Sequence, residues 1–203
     1  MSQLNFASAK VKTIVANITI TGAASASGKI RITATGHGLE TGDIVQISGL
    51  VGTTEGNGQW VVTRQSSSTF DLNNSTFANA YSSGGTAVHI GFATAAVLVD
   101  NTVFATVPDY TLVGRVESLS SGANARAVFT DAADSAFVTE QPVAVFQTAG
   151  AVASNFSADV KSSAKRDQVP DTRLGSSGYN MRLKVFVSGG AGASVQFSGW
   201  MEY

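Results

Sequence analysis

The chain has 203 residues, enough for one large domain or two small ones that each bury a core, and we favour two. Charged residues make up only 13% of the sequence and the formal net charge is −1. A nearly neutral chain has no overall field that would draw it to nucleic acid or to an anionic membrane, so we expect neither partner. The lack of cysteine excludes disulfides, thiolate nucleophiles and sulfur-rich zinc sites.

The N-terminal part, residues 1–28, is predicted to be an arm followed by a first strand. Residues 1–9 are small and polar, and they lack the basic region and apolar run of a secretory signal. From Lys10 to Thr21 aliphatic side chains fall on alternate positions, which predicts a half-buried strand that we expect to pair with the C-terminal domain. Residues 22–28 are expected to be a flexible entry to the next domain.

Residues 29–91 have the pattern of a small β-barrel of five short strands. Each piece is a short alternating segment closed by Gly, Asn or Asp, the residues that enter positive-φ turns at least cost. The expected core is a set of apolar pairs, one pair from each strand. They are Ile30 and Ile32 with Ala34, Val45 and Ile47, Trp60 and Val62, Phe70 and Leu72, and Val88 and Ile90.

The motifs of this stretch resemble a module that recurs in tailed-bacteriophage structural proteins. In order, the motifs are His37-Gly38-Leu39, Thr41-Gly42-Asp43 with Val45, Ile47, Ser48 and Gly49, Asn57-Gly58 with Trp60 and Val62, Thr69-Phe70-Asp71-Leu72, and Gly84-Gly85-Thr86-Ala87. The same module is often compared with the first catalytic cysteine half-domain of ubiquitin-activating enzymes. The resemblance implies a structural module of a virion. It transfers no enzyme chemistry, because the chain has no cysteine.

Residues 92–203 are predicted to form a β-sandwich of jelly-roll type, with very little helix. Turn signals separate seven short segments at the spacing typical of a sandwich. The segments are 95–99, 110–119, 125–130, 143–148, 155–161, 181–188 and 194–203, with one short turn expected at 132–136. The stretches 169–175, 181–185 and 197–202 resemble the end of β-sandwich proteins found near capsid genes in tailed phages, which favours capsid decoration.

The last two segments are predicted to pair as a hairpin around a turn at 189–194. The most economical register pairs Leu183 with Gly199 on the core side and leaves Arg182 opposite Trp200 on the outer face. Phe186 lies on that outer face too, and two large aromatics there predict a cover, either a partner subunit or the barrel. Arg182, Phe186 and Trp200 are therefore the predicted interface. The alternative is a β-bulge at Gly199 that turns Trp200 inward.

No catalytic, cofactor or metal site is predicted. His37 is expected to cap a turn, and His89 to be a strand residue facing solvent or a barrel rim, because two isolated histidines make no metal site. Asp131, Asp134 and Glu140 fit no calcium-loop pattern and are expected to be solvated loop residues.

Two further motifs are expected to carry no chemistry. The glycines at 189–194 lack the following Lys and helix of a phosphate-binding loop. A local concentration of positive charge is expected to be a solvated loop, with an acidic capsid shell or a carbohydrate receptor as the alternative partner. Its members are Lys161, Lys165, Arg166 and Arg173.

The expected function is that of a non-enzymatic virion structural protein, a capsid decoration or cement protein of a tailed bacteriophage. Its partners would be the major capsid protein and further copies of itself, as a homotrimer. Its location would be the virion, assembled in the host bacterial cytoplasm. Two alternatives stay open: a tail or baseplate component bound to tail proteins, and a carbohydrate-binding or receptor-binding β-module.

Overall fold

The computed structural model describes residues 3–99, 109–120, 122–132, 134–138, 140–149, 154–161 and 179–202. Apart from one 3-10 turn at Thr54–Gly56, the regular elements of these residues are β-strands. The strands are β1 (Gln3–Thr13), β2 (Ile18–Thr19), β3 (Gly22–Ala26), β4 (Lys29–Thr33), β5 (Asp43–Ser48), β6 (Gly58–Arg64), β7 (Thr69–Leu72), β8 (Thr86–Ala93), β9 (Val97–Val99), β10 (Asp109–Leu119), β11 (Asn124–Ala132), β12 (Gln141–Ala149), β13 (Ser154–Lys161), β14 (Tyr179–Ser188) and β15 (Ser194–Glu202). The predicted all-β fold is confirmed.

The chain divides into two compact units. The sandwich unit comprises Met1–Lys12, Thr94–Val185 and Ser194–Tyr203, and the small unit comprises Thr13–Ala93 and Phe186–Ala193. The small unit thus begins well before the expected boundary at residue 29, because β2 and β3 pair with its strands. Residues 3–9, expected to be an arm, are part of strand β1.

Within the described residues, the sandwich unit contributes eight strands to two sheets, and eight is the number of strands found in jelly rolls. One sheet has the order β1-β15-β10-β13, and the other, which has 11 strands, includes the order β12-β11-β14, with β9 also pairing with β14. All seven predicted segments contain strands, and residues 134–136 of the expected turn lie between β11 and β12. The jelly-roll type of sandwich therefore describes this unit.

The inward faces of these two sheets meet in the core of the sandwich unit. The rings of Phe6 on β1 and Phe129 on β11 pack edge to face, with their centroids 5.2 Å apart. Gly199 on β15 lies directly under Leu183 on β14, since a Cβ added to Gly199 would lie 2.5 Å from Leu183 Cδ2. Every apolar residue predicted on the core side of the last two segments is buried. These residues are Met181, Leu183, Val185, Val187, Val195, Phe197 and Met201.

The predicted pairing of β14 with β15 is wrong. The turn after Ser188 leads from one sheet to the other, and β15 pairs with β10, where Trp200 lies opposite Val113. Alternation of apolar residues determines which face of a strand is buried, and it leaves the neighbouring strand undetermined. Leu183 and Gly199 do meet, but across the sandwich rather than along one sheet.

The small unit contains the five strands predicted between residues 29 and 91. Antiparallel pairing runs in the order β8-β5-β6-β7-β4-β3. The chain before β4 contacts both ends of this row, because β2 pairs with β8 and β3 pairs with β4. Residues 18–26 therefore link the first and last strands of the row.

One contiguous cluster of side chains fills the small unit, and four of the five strands contribute as predicted. Ile30, Phe70 and Leu72 are fully buried, while Trp60 packs at the edge of the cluster. The exception is β8, where Val88 is 36% exposed and the inward positions are Ala87 and His89. The sequence predicted that the larger aliphatic side chains of β8 would face the core. In the structure, the register of β8 against β5 shifts between the pairs Ile44↔Gly91 and Val45↔His89.

Candidate functional site

The structure does not place the three predicted interface residues on one sheet. Arg182 and Phe186 lie on β14, whereas Trp200 lies on β15 in the other sheet. Phe186 and Trp200 are both half-buried, and the side chain of Arg182 is only 11% exposed. The predicted position of Arg182 opposite Trp200 is therefore wrong, because it depended on the β14–β15 pairing.

Arg182 belongs instead to a polar cluster that the sequence did not predict. Its Nε donates to Glu140 Oε1 at 2.7 Å and its Nη2 donates to Glu140 Oε2 at 2.9 Å, which is a two-pronged ion pair. Lys184 Nζ donates to Glu140 Oε2, and the Thr130 hydroxyl donates to Glu140 Oε1. The guanidinium carbon of Arg182 lies 4.1 Å from the centroid of the Phe137 ring. One carboxylate thus holds two cations that stand two residues apart on β14.

Burial and hydrogen bonding oppose each other in this cluster. Burial acts to raise the pKa of Glu140, but the hydrogen bonds from Arg182, Lys184 and Thr130 outweigh it, so the pKa lies below the ordinary carboxyl value. Burial lowers the pKa of Lys184, and the hydrogen bond to Glu140 offsets only part of that effect. The cluster therefore depends on an ionised Glu140.

A short segment of the same unit, residues 134–140, supplies both Phe137 and Glu140. Phe137 is buried with a positive φ of 57°, and Asp134 Oδ1 accepts a hydrogen bond from the Val138 amide at 3.3 Å. This segment places Phe137 and Glu140 against the outward side chains of β14. The prediction that Glu140 is a solvated loop residue is wrong, as it is for Asp131, which is 6% exposed on β11.

Trp200 lies on the outward face of the sheet β1-β15-β10-β13. Its neighbours in sequence point the other way, since Gly199 and Met201 are buried in the core. The indole Nε1 donates to Glu202 Oε1 at 2.8 Å, and the paired residue on β10 is Val113. The alternative of a bulge that turns Trp200 inward is not seen: β15 keeps a regular register with β10 from Phe197 to Glu202.

Both histidines lie buried in the small unit. His37 Nδ1 accepts the Leu39 amide at 3.0 Å, which confirms that it caps its turn, and its Nε2 bonds the Ser66 carbonyl at 3.0 Å. His89 is 2% exposed, so the prediction that it faces solvent or a rim is wrong. Its Nδ1 accepts the Val15 amide at 3.2 Å, and its Nε2 lies 3.6 Å from Asp43 Oδ2.

The described residues contain no group of three or more His, Cys, Asp or Glu side chains that could hold a metal ion. Within the same ranges, no helix has the length and apolar character needed to span a membrane. The turn at 189–192 connects β14 to β15, but these strands do not pair, so the predicted hairpin turn is wrong. Of the four predicted basic loop residues, Lys161 ends β13, and the other three lie outside the described residues.

Comparison with known families gives one match, within the small unit. Residues 29–90 match the ubiquitin-activating enzyme E1 FCCH domain. The match comprises roughly a third of the chain and includes β4 to β7 and the first residues of β8. No curated protein matches the chain. The small unit is therefore built around a β-module similar to the FCCH domain.

Proposed function

We propose that the chain is a structural protein of a tailed-bacteriophage virion, and specifically a decoration or cement protein of the capsid. One observation supports the proposal: a single chain combines a module similar to the FCCH domain with a β-sandwich that has the number of strands found in jelly rolls. The motifs of that module resemble those of phage structural proteins, and the jelly roll is a frequent fold of viral capsid domains.

The low charge supports a role in permanent contact with neighbours. Because only 13% of the residues are charged, small polar and apolar side chains make up much of the surface. Their desolvation in an interface costs less free energy than that of charged groups. Repetition over a shell would add many modest contacts, and a closed homo-oligomer, a trimer, would supply enough area for specific attachment. The major capsid protein is the proposed partner.

Copy number in purified virions tests this proposal and separates it from the tail alternative. Quantitative mass spectrometry of particles that encode the chain should find hundreds of copies, and immunogold labelling should decorate the head. A handful of copies with label on the tail would support a tail or baseplate component. Absence from purified particles would overturn both.

The outward face around Trp200 is the proposed attachment surface. It combines the half-buried indole with the exposed Arg115 on the neighbouring strand, two residues beyond Val113, the buried partner of Trp200. Arg182 is no longer part of it, because Glu140 and Phe137 cover that side chain.

Trp200→Ala should weaken binding to particles that lack the protein by about tenfold or more, as loss of a central aromatic anchor does. The matched control is Val145→Ser, which changes an apolar side chain 57% exposed on β12 of the other sheet. Both variants should keep the oligomeric state and urea midpoint of the free protein. Unchanged particle binding by Trp200→Ala would remove this face from the proposal, and glycan-array binding lost in the same variant would favour a carbohydrate-binding module.

A further inference from the structure

A buried histidine holds the backbone of the segment that follows β1 in the small unit. The Val15 amide donates to His89 Nδ1 at 3.2 Å, although the two residues lie far apart in sequence. Neighbouring bonds attach the same segment: the Ile14 amide donates to the Ala193 carbonyl at 2.7 Å, and the Gly192 amide donates to the Ile14 carbonyl at 2.9 Å. Three hydrogen bonds thus fix residues 14–15, and in one of them the acceptor is an imidazole nitrogen.

These bonds determine which nitrogen of His89 carries the proton. A backbone amide can only donate, so Nδ1 must be unprotonated where it accepts from Val15. The proton of the neutral ring is then on Nε2, which donates to the Gly91 carbonyl at 2.9 Å. The Val15 bond exists only while the ring is neutral.

The ionisable group facing His89 from β5 is Asp43. Its Oδ2 lies 3.6 Å from His89 Nε2, and both side chains are 1% exposed. Asp43 Oδ2 also accepts the Glu40 amide at 2.8 Å, which fixes the carboxylate. The segment 14–17 brings no titratable side chain, and β8 itself brings the Gly91 carbonyl. A carboxylate near Nε2 favours an imidazolium, while Val15 opposes it at Nδ1.

We propose that the Val15–His89 hydrogen bond is a proton-sensitive latch on residues 14–17. Uptake of a proton from solvent at Nδ1 replaces the acceptor lone pair with a second N–H donor, which faces the Val15 N–H and breaks the bond. The Nε2–H remains, with Gly91 and Asp43 as its neighbours, so the ring stays in place while the segment keeps only the Ile14 bonds to Ala193 and Gly192. The latch is closed while the ring is neutral and opens when the ring takes up a second proton under acid conditions.

The segment also forms one wall of an open groove of about 370 Å³. Val15 and Ala16 lie on that wall, and Thr35 and His37 are among the residues opposite. Opening the latch would change the shape of this groove.

The test follows the Val15 amide and the His89 ring in the full chain by NMR between pH 8 and pH 5. We expect the ¹⁵N resonances of His89 to report protonation of Nδ1, and the protection of Val15 against hydrogen exchange to fall roughly tenfold over the same range. In His89→Gln the amide oxygen can accept from Val15 but cannot titrate, so the protection should change less than about twofold.

His37→Gln is the matched control, because His37 Nδ1 also accepts a backbone amide but from Leu39. This variant should leave the pH response of Val15 unchanged. The latch is overturned if His89 takes up a proton while Val15 stays protected, or if His89 remains neutral down to pH 5. Both outcomes are measured on the unmodified protein, so the test remains decisive even if a variant fails to fold.

Discussion

Glu55 shows how a single carboxylate can organise a surface loop of the small unit. Its Oε1 accepts the amides of Asn79 and Ala78, each at 2.7 Å, and its Oε2 accepts the Asn79 side-chain amide at 3.2 Å. The hydrogen bond from the Asn79 amide, followed by that from Ala78, lowers the pKa of Glu55 to about 2. The charge of Glu55 thus helps to fix the loop before β8, together with the packing of Phe77 and Tyr81 against the core.

Glu55→Gln should loosen this loop at neutral pH, because a neutral amide oxygen is a weaker acceptor than a carboxylate. We expect hydrogen exchange of the Ala78 and Asn79 amides to accelerate roughly fivefold. The pKa of Glu55 in the fold lies below the ordinary 4.5, so its contribution is complete above about pH 4.5 and is lost as the pH falls towards 2. Exchange in the wild type, corrected for intrinsic rates, should therefore approach that of Glu55→Gln in acid; an equal difference at pH 3 and pH 7 would contradict this role.

Glu140→Gln should destabilise the sandwich unit by about 2–4 kcal/mol, because it leaves Arg182 and Lys184 as buried like charges without their counterion. Urea denaturation at pH 7 measures the effect. Since the pKa of Glu140 is lowered in the fold, the difference from wild type should shrink as the pH falls below about 4.5. Asp134→Asn, which changes a carboxylate in the same segment, is the control and should cost less than about 1 kcal/mol.

At the scale of elements, strands adjacent in sequence belong to different sheets of the sandwich unit. The turn at 189–192 joins β14 to β15 without pairing them, and its glycines adopt positive φ, for example 82° at Gly190. The faces of the two strands meet where Leu183 lies over Gly199. This contact leaves no room for a side chain at position 199 of β15.

Gly199→Ala should therefore destabilise the sandwich unit by about 1–3 kcal/mol, as overpacking does in a dense core. The added methyl would lie 2.5 Å from Leu183 Cδ2 and 3.2 Å from Phe197 Cε1. Combining it with Leu183→Ala creates space for the methyl, so the double variant should lose less stability in urea denaturation than the sum of the two single changes. Strict additivity would argue against face-to-face packing of β14 and β15.

For the whole molecule, the chain folds as two compact units with separate hydrophobic clusters. The cluster of the small unit contains residues of that unit alone, with Ile32 and Phe70 fully buried within it. In the sandwich unit the matching centre includes Phe129 and Leu183. Because each unit has its own core, we expect a destabilising substitution in one unit to reduce mainly the stability of that unit.

Phe70→Ala should cost the small unit about 3–5 kcal/mol. In hydrogen exchange measured by mass spectrometry on the full chain, peptides from β4 to β7 should lose protection, while peptides from β10 and β11 keep theirs. Leu112→Ala, a fully buried position on β10, should give the reverse pattern. Equal loss throughout the chain would show that the two units unfold together.

The sequence by itself predicted the strands from β4 onward and, except in β8, the buried faces examined, because alternation with a period of two is present in each segment independently of its partners. It did not predict strand β3, the strand at residues 3–9 or the break between β1 and β2. It also predicted His37 as a turn cap and the β-module at 29–90, since both depend on motifs within short stretches. Only the tertiary structure decided that β14 and β15 part into two sheets, that Glu140 lies between Arg182 and Lys184, and that His89 points inward to Val15. Each of these depends on contacts between residues distant in sequence, or on a register shift that local alternation does not record.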